Sequence, residues 1–90
     1  MKTIWKFPVH GEHAHGVIEA PGLTRILHFG MQSGGYFCWG IVDTDAPLAR
    51  LDVVFTGTGQ SIPECWGYVN TFFDGPLVWH GWVRREIANA

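Results

Sequence analysis

The residues able to do chemistry in this 90-residue chain are few, and each has a plainer use beside the chemical one. His10-Gly-Glu-His13-Ala-His15 is the one cluster with metal-ligand residue types at close spacing. Zinc needs three or four convergent N, S or O ligands. Gly11 and Gly16 loosen this stretch, no Cys is near and no rigid helix presents the histidines, so a solvated loop is expected, with no metal and no cofactor. His28 and His80 lie inside strand-like runs, where an imidazole acts as a general base only if a nucleophile and an orienting carboxylate converge on it. The members available for such a set are Cys38 or Ser61 with Asp43 or Asp52, and no motif ties them together. The expectation is that the protein is not an enzyme.

Two loops carry further chemistry. Gly57-Thr-Gly-Gln-Ser61 follows a strand-like run and could turn backbone N–H groups toward an anion. It lacks the Lys and the following helix of a P-loop, and as a turn it needs no ligand. Asp43-Thr-Asp45 offers two carboxylates, too few for a calcium loop and sufficient for a turn cap. The aromatic set Trp39, Trp66, Tyr68, Trp79 and Trp82 carries the widest implication, because Trp and Tyr dominate interface hot spots and a core this small cannot absorb every ring. Binding is therefore expected at Trp39, Trp66, Tyr68, Trp79, His80 and Trp82, with Gly57, Thr58, Gly59 and Gln60 as the loop beside them.

The elements that must position these residues read as strands. Thr24 to Gln32 and Tyr36 to Asp43 are β-branched and aromatic runs, and Ser33-Gly34-Gly35 supplies the positive φ of a short hairpin. Period-2 alternation puts Leu27, Phe29 and Met31 on one face and Ile26, His28, Gly30 and Gln32 on the other. In the return strand Phe37, Trp39 and Ile41 oppose Tyr36, Cys38, Gly40 and Val42, so the apolar Phe37 face is expected to be covered. Thr3 to Phe7, ended by Pro8, Val17 to Ala20, Arg50 to Thr56, Cys65 to Phe73 and Leu77 to Val83 supply five more strands, with one helical turn as a candidate around Ser61 to Trp66. Seven short strands with regular turn signals predict a single all-β domain over residues 1–90, a small antiparallel sandwich or partly open barrel with mostly sequential pairing, and residues 84–90 as a frayed tail.

Composition narrows the function classes. The chain is 47% hydrophobic but only 16% charged, against about 25% in an average domain. Five Trp, six Phe and two Tyr must fit a body that buries roughly 60 to 65% of its unfolded surface, which predicts aromatic surface covered by a second copy or another partner. A net charge of −2 and six scattered Lys and Arg argue against nucleic-acid binding. Cys38 and Cys65 sit in apolar runs and read as buried free thiols of a reducing compartment, with a disulfide left open should their strands pair. With no secretory leader pattern and no apolar run of ~18 residues, a cytoplasmic protein without membrane contact is expected.

Trp5-Lys-Phe-Pro8, Ile26-Leu-His28, Cys38-Trp-Gly-Ile-Val-Asp43, Ala46-Pro47, Gly57-Thr-Gly59, Ile62-Pro63, Thr71-Phe72 and Leu77-Val-Trp-His80 together resemble a family of short phage and prophage proteins, over nearly the whole chain. The His-rich loop and the tail after His80 depart from that pattern. The family has no established activity, so the resemblance transfers no residue role. It implies a phage accessory protein acting inside a bacterial host by non-covalent binding, as an inhibitor of a defence component in the manner of an anti-CRISPR. A sponge that sequesters a small nucleotide signal and a virion or assembly protein are the alternatives.

Overall fold

The computed structural model of the chain describes residues 1–10 and 15–85. His13 of the histidine cluster and positions 86–90 of the expected tail lie outside the described residues. Among those described, seven strands run in order: β1 (Lys2–Val9), β2 (His15–Pro21), β3 (Arg25–Gln32), β4 (Gly35–Asp43), β5 (Leu48–Gly57), β6 (Gly67–Asp74) and β7 (Leu77–Arg85). They form two antiparallel sheets, one ordered β1-β4-β3 and the other β2-β5-β7-β6, without closing into a barrel. No helix forms among the described residues; Glu64 and Cys65 make a turn where one helical turn was expected. No described helix is therefore long and apolar enough to cross a membrane.

Pairing is less sequential than turn chemistry suggests. Only β3–β4 and β6–β7 are hairpins, while β1–β4, β2–β5 and β5–β7 join strands distant in the chain. Turn residues specify the hairpins and carry no information about the long-range partners. The β3–β4 turn is the two-residue kind that matches strand twist, with Ser33 at φ 52° and Gly34 at φ 80°. Pro8 does not end β1, which runs on to Val9 as an edge strand, the one setting that tolerates proline in a ladder.

Two β-bulges decide which side chains point where. The register shifts between Ile26 and His28 in β3, and again between Tyr68 and Asn70 in β6. Each inserts one residue, so alternation counted across it comes out inverted. Ile26 and Phe29 both face the core, and the expected grouping of Leu27 with Phe29 fails: Leu27 is exposed. The covered face of β4 is Cys38, Gly40 and Val42, and the apolar set Phe37, Trp39 and Ile41 stands on the outside, half-buried. Glycine makes this inversion workable. A side chain at Gly40 would come within 3.0 Å of Leu23 Cδ1 and 3.2 Å of Ile26 Cδ1, so those two residues occupy the space that Gly40 leaves.

The core holds Phe29, Phe55 and Phe72, with edge-to-face contacts at 5.0 Å (Phe29–Phe55) and 5.2 Å (Phe55–Phe72), surrounded by Val9, Ile18, Leu23, Val42, Leu51 and Val53. Gly81 lets Phe29 in: a Cβ there would lie 2.2 Å from the Phe29 ring. The sheets meet where the bulged strands face each other. Asn70 Oδ1 accepts from the Phe29 amide at 2.7 Å and Asn70 Nδ2 donates to the Phe29 carbonyl at 2.9 Å. The side-chain amide thus pairs the free edge of β3 as a neighbouring strand would, and leaves neither buried backbone group unsatisfied.

Cys38 is fully buried, and burial pushes its thiol up to about 12. Cys65 is exposed in the turn before β6 at φ 64°, contrary to the expectation of a second buried thiol, because β6 begins only at Gly67; both thiols are free.

Candidate functional site

The outward positions of β5, β6 and β7 assemble the densest set of polar and aromatic groups. Alternation in β7 directs His80, Trp82 and Arg84 to solvent. Their cross-strand neighbours are Thr56, Val54 and Asp52 on β5, with Tyr68 beside Trp82 and Thr71 beside His80 on β6. His80 lies at the centre. Thr71 Oγ1 is 2.8 Å from its Nδ1 and Thr58 Oγ1 is 2.9 Å from its Nε2, so both ring nitrogens are occupied by hydroxyls. Tyr68 OH extends the chain to Thr71 Oγ1 at 2.5 Å. Either neutral tautomer of His80 satisfies this row, provided that one threonine donates and the other accepts.

The rings are fixed as firmly. Trp82 Nε1 donates to Thr56 Oγ1 at 2.9 Å, and the Tyr68 ring meets the Trp82 indole edge-on at 5.4 Å. Arg84 donates to Asp52 at 2.8 Å and holds its guanidinium 4.7 Å above Trp66, whose indole also contacts His15. The Gly57–Gln60 loop folds over the end of the strands. Gln60 Oε1 accepts from the Gly57 amide at 2.6 Å while the Gln60 amide donates to the Gly57 carbonyl at 3.1 Å, with Gly59 at φ 93°. Between that loop and β7 lies a cleft of about 250 Å³ lined chiefly by Thr58, Gln60, Ile62, His80 and Trp82.

Of the residues singled out from sequence, Gly57, Thr58, Gly59, Gln60, His80 and Trp82 line this cleft, Tyr68 flanks it against Trp82, and Trp66 packs on Arg84 and His15 instead. Trp79 points the other way, into the core beside Tyr36, Phe55 and Phe72, with its buried Nε1 facing the Tyr36 hydroxyl without closing a bond of ordinary geometry. That hydroxyl donates to Asp74, which raises the phenol above its ordinary pKa. Trp39 lies on the outer face of the other sheet, against His28. Thr56 and Thr71 were missed. Alternation in β5 places Thr56 outward and would have found it, whereas Thr71 reaches His80 only because of the bulge.

No described carboxylate reaches His80, and no three described metal-ligand side chains come together. The other members weighed for a catalytic set are dispersed. Cys38 is sealed in the core, Asp52 is paired with Arg84, and Asp43 caps its own turn. The Asp45 amide donating to Asp43, with the Met1 ammonium nearby, holds the Asp43 carboxyl below its usual range. What this arrangement offers is an outer face of rings, hydroxyls and one imidazole tied together by hydrogen bonds. No curated protein and no solved structure matches the chain, while a family described as a domain of unknown function, DUF7352, matches residues 1–89.

Proposed function

The chain therefore belongs to the DUF7352 family, and we propose that it acts by non-covalent binding, engaging a protein partner with the solvent face of its four-stranded sheet. The observation that carries this reading is the organisation of the outer face itself. The exposed Tyr68 and the half-buried Trp82 stand as a pair held by hydrogen bonds to Thr71 and Thr56, and His80 is pinned at both nitrogens. Side chains already held in place lose little further entropy on docking, so ring burial goes largely into affinity. The sequence likeness to phage and prophage proteins makes a bacterial defence component in the host cytoplasm the partner we favour, with inhibition by occupancy as the mode of action and a homodimer as the working form.

The test compares wild type with Tyr68→Ala/Trp82→Ala as baits in lysate of a bacterial host. One protein retained in stoichiometric amount by wild type and lost from the double variant is expected. Identical retained proteins for both baits would exclude this face.

A second reading has one specific observation behind it: the cleft beside Trp82 could admit part of a nucleotide. The Gly57 amide is already committed to Gln60, which removes one of the backbone donors that a phosphate would need. Calorimetry with cyclic nucleotides separates the readings, since a sponge gives stoichiometric heats without any protein partner.

A further inference from the structure

The outer face of the three-stranded sheet differs in kind from the one just described. Register across β1, β4 and β3 sets Ile4, Ile41 and Arg25 in one row, Lys6, Trp39 and His28 in the next, and Pro8, Phe37 and Gly30 in the third. Lys2 stands at the end, opposite Asp43. Lys2, Lys6 and Arg25 are exposed, and they are three of the six Lys and Arg in the chain. Cations scattered in sequence are thus gathered by the fold. On the other sheet Arg50 and Arg84 face carboxylates, Glu19 at 3.5 Å and Asp52 at 2.8 Å. Among the described residues no carboxylate pairs with Lys6 or Arg25. Asp43, the one carboxylate in these rows, is held by the Asp45 amide and the Met1 ammonium.

The cations are interleaved with rings. Lys6 Nζ lies 4.8 Å over the Phe37 ring and donates to Gln32 at 2.7 Å. Phe37 and Trp39 are 6.5 Å apart, and His28 is 5.9 Å from Trp39. Gly30 lets two of these rings lie low on the sheet: a Cβ there would meet His28 Nε2 at 3.2 Å and Trp39 Cζ3 at 3.6 Å. Rings lying low on a sheet present π surface, and the face is about 10 Å across its three strands.

We propose that this face binds single-stranded nucleic acid, with bases stacking on Trp39 and Phe37 while Lys6, Arg25 and Lys2 contact the phosphates. A base arriving over Phe37 displaces the Lys6 ammonium from the ring onto the neighbouring phosphate. The combination selects the occupant. An anionic bilayer or an acidic protein would meet the cations but offers no base to stack on Trp39 and Phe37, and a duplex keeps its bases turned inward, out of reach of Trp39. Stacking is tolerant of sequence, so little base preference is expected.

The probe is fluorescence anisotropy of a labelled 12-nucleotide oligo-dT with the whole chain at 50 mM salt. Saturable binding is expected. Single strands lose affinity with a logarithmic slope of about −0.7 per neutralised phosphate, so three contacts predict a fall of about eighteen-fold between 50 and 200 mM salt. Lys6→Glu/Arg25→Glu should lower affinity at least tenfold, and Trp39→Ala by roughly tenfold. Arg50→Glu alters net charge on the other sheet and should leave affinity within twofold. The duplex of the same sequence and phosphatidylglycerol vesicles should each compete at least tenfold more weakly. No anisotropy change, a flat salt response, an equal loss in Arg50→Glu, or equal competition by duplex or vesicles would each overturn the proposal. Should Trp39→Ala fail to fold, the charge-reversed variant, altered only at exposed positions, decides alone.

Discussion

The two outer faces are built by the same alternation and reach opposite ends. On the four-stranded sheet nearly every polar group finds its match within the face: Arg84 with Asp52, Arg50 with Glu19, His80 with two threonines, Trp82 with Thr56. On the three-stranded sheet Lys6 is met only by the Phe37 ring and the neutral Gln32 amide, and Lys2 alone of the three cations stands opposite a carboxylate, Asp43. A face satisfied from within has shape and ring area left to offer a partner. A face carrying uncompensated charge attracts a counter-charge from outside. In so charge-poor a chain this division is the informative part of the electrostatics, and it does not show in the net charge of −2.

Both faces hang on one junction, so breaking it should abolish the comparison altogether. Phe29→Ala removes the ring that fills the space over Gly81 and contacts Phe55, which should destabilise the fold by about 3–5 kcal/mol and, in a 90-residue domain, leave little native protein at 37 °C. Thermal denaturation followed by circular dichroism measures it. Asn70→Ala strikes the same place through hydrogen bonds. It strands the Phe29 amide and carbonyl, and a loss of about 2–3 kcal/mol is expected in urea titration. Asn70→Asp should recover only part, since a carboxylate accepts from the amide but cannot donate to the carbonyl.

The thiols test inside against outside. Native protein at pH 8 should react with a disulfide reagent at Cys65 alone, and urea-unfolded protein at both cysteines. The folded Cys38 thiol is held up near 12 by burial, against about 9 in the unfolded chain. The unfolded state therefore loses this proton first, so stability from this group is intact below pH 9 and declines as pH rises through 9 toward 12. Cys38→Ala should flatten that alkaline limb.

Much of the architecture was legible because strand signals are local. All seven strands and the Ser33-Gly34 turn follow from composition and period alone, whereas the last strand, apolar on both faces, did not tell the inward Trp79 from the outward His80 and Trp82. What was not legible traces to Leu27 and Val69, the residues inserted at the two bulges. Nothing about either side chain announces a bulge. The bulges lie where β3 and β6 approach each other and Asn70 reaches Phe29, a tertiary relation that no window of sequence contains. Gly40 misled in the same way, since an apolar count treats glycine as empty where the fold lets Leu23 and Ile26 fill it. On the candidate face the contact between Thr71 and His80 was hidden behind the bulge.

The smallest expected effects sharpen the contrast between the faces most directly. Thr71→Val keeps shape but removes the hydroxyl between His80 Nδ1 and Tyr68, on a face that depends on such links, and should cost about 0.5–1.5 kcal/mol. Gln32→Ala removes the acceptor of Lys6, on a face where the ammonium is exposed and can turn to water, and should change stability by less than about 0.5 kcal/mol. The two substitutions are matched in that each deletes one half-exposed or exposed hydrogen-bond partner from an outer sheet face. Paired urea titrations in one buffer, repeated at 50 and 500 mM salt, compare them. A measurable and salt-insensitive loss for Thr71→Val beside near-silence for Gln32→Ala means that one surface contributes to holding the fold and the other is free to bind. Equal losses would mean that the three-stranded face is as self-satisfied as its counterpart, and its cations would then have no cause to seek phosphate.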